Sequence, residues 1–245
     1  RIKDLIPEGG LTKETRLVLA NAIYFNALWQ TPFEPEQTKE EPFTLLDGEE
    51  TNVPMMFQHN DLPYRKGENY QLLSLPYNGE MSFIAILPDE GKFEEVEAGL
   101  SAQFFDEAMT QVYSRDVILK MPKFEFEVAT ELVKPMETLG MKTAFVSFPP
   151  DLDCKMTYLP EVANFSGIDG SYCLYISAIF HKAFVKVEEK GTEAAAATAV
   201  VMTVETTSVL PPPLELTLDR PFIFLIRDNQ TEGVLFVGRV LNPSE

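Results

Sequence analysis

The side chains that most often carry out chemistry in enzymes are few in this sequence. The chain has two histidines, His59 and His181, and two cysteines, Cys154 and Cys173. A cysteine–histidine hydrolase would need a histidine beside one of the cysteines and an orienting acid or amide, and no local signature indicates this. A metal site needs histidine, cysteine or carboxylate ligands at short spacing, and two isolated histidines do not supply them. We therefore expect no enzyme, no metal and no cofactor.

A run of small residues between 187 and 207, VEEKGTEAAAATAVVMTVETT, is the stretch around which the chain is organised. Helix propensity alone favours a short helix over its alanines. A period of two is also present, because every second residue from 192 is small or β-branched, whereas the alternate set begins with Glu193. These small residues are Thr192, Ala194, Ala196, Thr198 and Val200. The pattern thus permits a helix, or a strand that could enter a sheet.

This stretch resembles the reactive-loop hinge of the serpins, the serine protease inhibitor family. The shared pattern is an acidic residue, a basic residue, glycine, threonine, glutamate and then alanines, EEKGTEAAAATAVV. Other segments similar to family motifs follow in family order. They are NAIYFNALW (21–29), VPMM (53–56), LPYNGEMSFIAILPDEG (75–91), MPKFEFE (121–127), NFSGI (164–168), LTLDRPFIFLIRD (216–228) and GVLFVGRVLNP (233–243).

The resemblance implies an α+β serpin fold, with a mostly antiparallel main sheet, further sheets, helices and an exposed reactive loop. We predict one serpin domain over residues 1–245, with the reactive-centre loop at 188–215. The chain resembles roughly the last two-thirds of the family's domain, and the family's N-terminal helices have no counterpart in it. We therefore expect a C-terminal fragment that, alone, leaves apolar faces of the strand at 17–29 uncovered.

The function implied is inhibition of a serine endopeptidase by a suicide-substrate mechanism. The protease attacks the loop and becomes acyl-linked, and the hinge inserts between the strands at 17–29 and 177–187. The hinge residues are Glu189, Lys190, Gly191, Thr192, Glu193, Ala194, Ala195, Ala196, Ala197 and Thr198. The alternatives are a serpin-fold protein that does not inhibit (a carrier, storage or chaperone-like protein) and an inactive fragment.

The family's spacing from the hinge glycine predicts a reactive bond between Glu205 and Thr206. An acidic residue there implies a protease whose specificity pocket is basic, because a buried unpaired carboxylate is costly. The loop is longer than in typical members, so any bond between residues 202 and 208 is an alternative. Met202 and Val204 would suit apolar pockets, and a cysteine protease is also a possible target.

Four residues match positions where the family's main sheet opens, namely Asn21, Trp29, Lys123 and His181. The general interpretation of His181, in an otherwise apolar strand, is a core histidine satisfied by one hydrogen bond. The resemblance instead makes Asn21 and His181 a buried polar latch on adjacent strands. Lys123 and Glu189 match a salt bridge near Trp29, and the alternative is a solvated pair contributing ~0–1 kcal/mol.

The chain carries 38 acidic and 20 basic residues, a formal net charge of −18. This charge argues against nucleic acid or an anionic membrane as partner, and no apolar run approaches the ~20 residues of a membrane span. We expect a monomer, extracellular by family resemblance. Cys154 and Cys173 could pair, but two free buried thiols are favoured.

Hydrophobic periodicity predicts the elements that must position these residues. Strands are expected at 17–29 (central and covered on both faces), 117–127, 177–187, 222–226 and 234–240, the last two buried. Hairpin turns are expected at Asp47-Gly48 and Asn78-Gly79. Helices are expected at 93–109 and at 132–139, the latter ending at Gly140.

Overall fold

The computed structural model describes residues 3–149, 151–155, 159–192 and 211–244. The described strands are β1 (Leu17–Tyr24), β2 (Ala27–Leu28), β3 (Lys39–Thr44), β4 (Glu50–Lys66), β5 (Tyr70–Pro76), β6 (Met81–Pro88), β7 (Tyr113–Pro122), β8 (Phe124–Glu131), β9 (Ile176–Glu188), β10 (Gly191–Thr192), β11 (Leu214–Thr217), β12 (Phe222–Asp228) and β13 (Val234–Val240). The described helices are α1 (Phe93–Ala98), α2 (Ala102–Thr110), α3 (Val133–Thr138) and α4 (Ser166–Asp169), with a 3-10 turn at Pro35–Gln37. The prediction of an α+β fold rich in antiparallel sheet is confirmed.

The chain divides into two compact units. The first comprises Arg1–Tyr24 and Phe126–Val185, and the second comprises Phe25–Glu125 and Lys186–Glu245. Strand β9 begins in the first unit, and its last residues belong to the second.

The second unit is built on an eight-stranded sheet with the order β11-β7-β4-β5-β6-β12-β13, in which β3 also pairs with β4. Both predicted hairpins are present, since β3 pairs antiparallel with β4 and β5 with β6. Their turns use glycine at positive φ, 87° at Gly48 and 109° at Gly79. This left-handed region explains why glycine follows aspartate or asparagine there.

Helices α1 and α2 pack against buried side chains of this sheet, among them Leu72, Ile86 and Leu225. The prediction of one helix over 93–109 is wrong, because the helix is interrupted between Gly99 and Ser101 and two helices form. Gly99 ends α1, and the Ser101 hydroxyl caps α2 by accepting from the amide of Phe104 at 3.1 Å. The capping serine starts a new helix rather than continuing the old one.

The predicted single strand over 117–127 is also wrong. Strand β7 ends at Pro122, and β8 begins at Phe124 in a different sheet. Proline has no amide hydrogen to donate to a ladder, so the strand can change partners at this point. Lys123 lies between the two strands, and its amide donates to the carbonyl of Pro54 at 2.9 Å.

In the first unit, β1 and β9 run parallel and pair directly with each other. The register runs from Leu17 opposite Ile176 to Tyr24 opposite Phe184. Helix α3 ends just before Gly140, as predicted, with φ 103° at that glycine. A small core of Ala144, Ile176 and Ile179 lies beneath.

Two apolar strands are less buried than predicted. In the first unit, β1 leaves Leu19 and Tyr24 exposed at 42% and 37%, because the described residues supply no element that covers them. This contradicts the prediction of a strand covered on both faces, and it agrees with the expectation that the chain alone leaves apolar faces of this strand uncovered. Its predicted continuation to Trp29 is broken, with β2 a separate short strand. In the second unit, β13 exposes Val234 and Val237 and buries Val240 only at its end. Strand β12 is buried as predicted.

The prediction of two free thiols is wrong, because Cys154 and Cys173 form a disulfide with Cα atoms 5.1 Å apart. The amide of Tyr172, next to one cysteine, donates to the carbonyl of Cys154 at 2.7 Å. This backbone contact lies next to the disulfide, whose cysteines are 19 residues apart in sequence, and spacing alone does not predict it. No helix in the described part of the chain is both long and apolar enough to cross a bilayer.

Candidate functional site

Two residues of the predicted hinge lie in a sheet. Gly191 and Thr192 form β10, which pairs antiparallel with Val187 and Glu188 at the end of β9. On its other side β10 pairs with Ala27 and Leu28 of β2. We call these six residues, all in the second unit, the hinge seat. Thr192 is fully buried in it, with 0% exposure.

Gly191 is the residue that lets the chain enter the hinge seat. Its φ of 151° lies in a region that residues with a Cβ avoid. A Cβ added there would lie 2.1 Å from the carbonyl oxygen of Ala27 and 2.7 Å from the Cα of Leu28. Only glycine allows β10 to approach β2 this closely.

Trp29 is buried beside the hinge seat, with 1% exposure. Its indole Nε1 donates to the carbonyl of Glu188 at 2.9 Å, and its amide donates to the carbonyl of Lys190 at 3.0 Å. Its ring stacks on Tyr77 with centroids 4.4 Å apart. The predicted site residue Trp29 therefore fixes the backbone on both sides of the turn that precedes β10.

Tyr77 was not predicted as a site residue, although it contacts the hinge directly. Its hydroxyl lies 2.6 Å from the hydroxyl of Thr192, and Tyr77 is 2% exposed. Burial raises the pKa of the Tyr77 phenol well above its usual value, and the hydrogen bond to Thr192 acts in the opposite direction. The phenol is therefore neutral at physiological pH and can donate or accept.

The predicted salt bridge is present between Lys123 Nζ and Glu189 Oε2, at 2.9 Å. The Thr38 hydroxyl donates to the other carboxylate oxygen of Glu189, also at 2.9 Å. Burial alone would raise the pKa of Glu189, but hydrogen bonds from Lys123, from the Glu189 backbone amide and from Thr38, with the charge of Lys123, outweigh it and lower the pKa. The Glu189 side chain is only 13% exposed, so the alternative of a freely solvated surface pair does not describe it.

A second lysine extends this charged group. Lys186 Nζ lies 3.0 Å from Glu188 Oε1 and 3.4 Å from Glu125 Oε2. Lys123 also approaches Glu188, at 4.0 Å. Neither Lys186 nor Thr38 was predicted as a site residue from the sequence. The alternation of charges along β9 was a signal for Lys186, whereas nothing in the sequence pointed to Thr38.

Asn21 and His181 are brought together in the first unit. They are register partners on β1 and β9, and Asn21 Nδ2 lies 3.3 Å from His181 Nδ1. The prediction that this pair is buried is wrong for this chain, because Asn21 is exposed and His181 half-buried. The cause is the same as for Leu19, since the described residues leave this face of β1 open.

The remaining predicted site residues lie outside the described part of the chain. These are Glu193, Ala194, Ala195, Ala196, Ala197 and Thr198 of the hinge, and Glu205 and Thr206 of the reactive bond. The chain is described again from Pro211, and Arg115 Nη2 donates to the carbonyl of Pro212 at 3.3 Å. Strand β11 then pairs parallel with β7, so the C-terminal end of the predicted reactive-centre loop is held by the eight-stranded sheet.

The side chains considered for hydrolase or metal chemistry have other partners. The disulfide occupies both cysteines, and His59 Nε2 lies 2.6 Å from Asp116 Oδ1. No group of three or more histidine, cysteine or acidic side chains able to hold a metal ion occurs among the residues that the structure describes.

Comparisons with known proteins identify the family of the chain. The model of the Serpin (serine protease inhibitor) family matches residues 1–243. The chain is 40% identical over 246 residues to an uncharacterized serpin-like protein of Thermococcus kodakarensis, covering 100% of this chain and 54% of that protein. It is 37% identical to antithrombin-III of Mus musculus, covering 99% and 50%. The chain thus spans about half the length of these curated relatives.

Solved structures give the same fold. Human thyroxine-binding globulin in complex with thyroxine superposes with a TM-score of 0.81 at 29% identity, covering 96% of this chain and 58% of that one. Serpin48 of the insect Tenebrio molitor gives a TM-score of 0.80 at 29% identity, covering 99% and 60%. The fold is therefore the serpin fold, as the motifs predicted. The chain belongs to the serpin family.

Proposed function

We propose that the protein inhibits a serine-type endopeptidase as a suicide substrate. The protease cuts the reactive loop, stays acyl-linked to it, and is trapped when the hinge inserts beside β9. The observation that carries the proposal is the position of Thr192, fully buried and paired on both sides of β10. The residues after Thr192 could continue the antiparallel pairing of β10 with β9.

The register of that extension follows from β10. Gly191 lies opposite Glu188 and Thr192 opposite Val187 in an antiparallel pair, so each further hinge residue moves one position back along β9. Ala194 would come to lie opposite Val185, and Thr198 opposite His181. The inserted strand would run antiparallel to β9.

Insertion would then have to separate β1 from β9. These strands pair directly over residues 17–24 in the structure, and an inserted strand would be antiparallel to both. The hydrogen bond between Asn21 and His181 would be lost, and the hydroxyl of Thr198 would replace it. A polar latch allows this exchange because its hydrogen bond can be remade, which supports a role for the pair in loop insertion.

The small residues of the hinge suit this movement. Side chains alternate between the two faces of a strand, so in an inserted strand Ala194, Ala196 and Thr198 would share the face of the buried Thr192. Glu193 would lie on the opposite face. Insertion competes with hydrolysis of the acyl link, and bulk or charge on the buried face would slow insertion.

The reactive bond would be Glu205–Thr206. A strand inserted from Thr192 to Glu205 spans ~45 Å at ~3.3 Å per residue, so a protease linked at that point would be carried a long way from where it attacked. On the other side of the cut, Arg115 and β7 hold the segment from Pro212 onward. The cut would therefore separate the hinge from the segment that Arg115 and β7 hold in place.

The partner would be a serine protease with a basic specificity pocket, with cysteine proteases as a second class. The disulfide supports an extracellular location, because disulfides persist mainly in oxidising compartments. The net charge of −18 supports neither nucleic acid nor an anionic membrane as partner. The inhibitor would act as a monomer.

The test is to incubate the full-length protein with serine endopeptidases, including one that cleaves after acidic residues, and boil the mixtures in detergent. Inhibition gives a covalent band that contains the protease, and mass spectrometry of the released C-terminal peptide locates the cut between residues 202 and 208. The control is the same protease with its active-site serine blocked, which cannot form the acyl link. Cleaved protein with fully active protease, and no covalent band, would contradict the proposal.

A carrier function is the second candidate. It is favoured by the likeness to thyroxine-binding globulin in complex with thyroxine. The second unit also has a cavity of about 650 Å³, lined by apolar residues such as Phe93 and Pro221 and by the charged residues Asp89, Glu94 and Arg220. A carrier would give no covalent band with any protease and would bind a small ligand in solution.

A further inference from the structure

Tyr77 and Thr192 form a buried pair of hydroxyls at the start of the hinge. Their oxygen atoms are 2.6 Å apart. Tyr77 is 2% exposed and Thr192 is 0% exposed, so water does not compete for this hydrogen bond. Among the described residues, the structure gives neither hydroxyl another hydrogen-bond partner. Loss of either hydroxyl would leave the other one buried and unsatisfied, which is costly.

The Tyr77 ring cannot move to follow the hinge. It is stacked on Trp29 at 4.4 Å and meets Phe25 edge-on at 5.1 Å. Its amide donates to the carbonyl of Met81 at 3.0 Å, and it forms a β-bridge with Trp29. The hydroxyl of Tyr77 is thus a fixed point in the hinge seat.

This fixed point distinguishes one register of the hinge from all near alternatives. The residues adjacent to Thr192 are Lys190, Gly191, Glu193 and Ala194. None of them carries a hydroxyl, so a slip of one or two positions would leave the Tyr77 phenol without its partner. A slip of one would also turn the small face of the hinge outward and bring Glu193 to the buried face.

We propose that Tyr77 is a positioning residue whose hydroxyl selects Thr192 as the first inserted residue and holds it in register before the loop is cut. This role rests on the proposed inhibitory function and deepens it. The held register defines where insertion begins, so the hinge does not have to find its place on β9 while the acyl link is being hydrolysed.

Hydrogen exchange of the intact, uncut full-length protein tests the hold without any protease. Tyr77→Phe removes one oxygen and keeps the ring stack. The amides of Gly191 and Thr192 should then exchange about three- to tenfold faster, the range expected for one lost hydrogen bond. Thr192→Val, which keeps the branched shape, should give a similar increase, and Thr192→Ser should give none. In the double variant Tyr77→Phe/Thr192→Val the two effects should not add.

Tyr64→Phe is the matched control. Tyr64 is another buried tyrosine of the second unit, and its hydroxyl donates to Gln71 Oε1 at 2.9 Å on strands outside the hinge seat. Its substitution should leave exchange at residues 191 and 192 unchanged. Unchanged exchange at these residues in both Tyr77→Phe and Thr192→Val, or fully additive effects in the double variant, would overturn the proposal.

A second readout concerns a protease that the wild-type protein traps. Tyr77→Phe should increase the number of inhibitor molecules consumed per protease trapped by about twofold or more, because a lost hydrogen bond weakens the starting register. An unchanged number would overturn the role in insertion. If the wild-type protein traps no protease, the inhibitory function fails, and the exchange measurements still decide whether Tyr77 holds Thr192.

Discussion

Asn21 and His181 face each other across two parallel strands, with Asn21 Nδ2 3.3 Å from His181 Nδ1. The pair lies at the point where β1 and β9 would have to part if a strand entered between them. In the structure, β1 and β9 pair directly with each other.

The latch between Asn21 and His181 should contribute measurably to stability. Asn21→Ala and His181→Ala should each lower the melting temperature of the full-length protein. A double-mutant cycle should give a coupling of about 0.5–1.5 kcal/mol, the usual net value of a hydrogen bond. Denaturant unfolding of the four proteins measures it. Strictly additive effects would mean that the two side chains do not interact.

Gly191→Ala should disrupt the hinge seat. The added Cβ would lie 2.1 Å from the Ala27 carbonyl oxygen, so one of the strands must move. Gly140→Ala is the control. The φ angle of Gly140, 103°, is also positive, but a Cβ added there meets no described atom within 4 Å. Backbone strain alone costs roughly 1–3 kcal/mol, and the loss at Gly191 should exceed the loss at Gly140. Equal losses by denaturant unfolding would exclude the close approach to β2.

The ion pair of Glu189 should make stability depend on acidity. Its pKa is lowered from the ordinary value of 4.5 by Lys123 and Thr38, despite burial. The stabilisation is therefore present above about pH 4.5 and is lost as the pH falls through the folded-state pKa. Glu189→Gln should lower stability at pH 7 and flatten this acid dependence.

Glu95→Gln is the matched control for that measurement. The pKa of Glu95 is lowered by its hydrogen bond and charge interaction with Lys92, but its side chain is 57% exposed. Solvent screens such a pair, so the change in stability should be small. Thermal unfolding from pH 3 to pH 7 compares the variants, and an equal acid slope in wild-type protein and Glu189→Gln would contradict the assigned role.

Much of this site was predictable because local chemistry determines it. The Asp47-Gly48 and Asn78-Gly79 turns need positive φ, and glycine supplies it at both. Gly191 and the charges at Glu189 and Lys123 matched a family pattern that covers the whole chain. The serpin fold was predicted from this resemblance to a family, whereas local chemistry alone predicted the turns.

The rest depended on contacts that sequence spacing does not encode. Tyr77 follows a hairpin strand in sequence, yet its partner Thr192 is 115 residues away. Cys154 and Cys173 pair because the backbone of Tyr172 meets that of Cys154. Leu19 on β1 is exposed because no described element packs against it. An apolar sequence pattern does not show which elements will cover a strand.

Thr192→Arg should turn the inhibitor into a substrate. The side chain at this position is fully buried, and a charge there would oppose the first step of insertion. The loop should still be cut, but the protease should be released active. Glu193→Arg is the control, since in an inserted strand residue 193 would lie on the face opposite to Thr192, and this variant should leave trapping intact. A Thr192→Arg variant that still traps protease would show that this face of the hinge does not enter the sheet.

The most direct test of loop insertion is the melting temperature of the full-length protein before and after a single cut between residues 202 and 208. If the freed hinge adds a strand between β1 and β9, the sheet gains a complete ladder and the stored strain is released. We expect a rise in melting temperature on the order of tens of degrees, with the two parts of the cut protein remaining associated. Identical melting curves for the intact and the cut protein would contradict it.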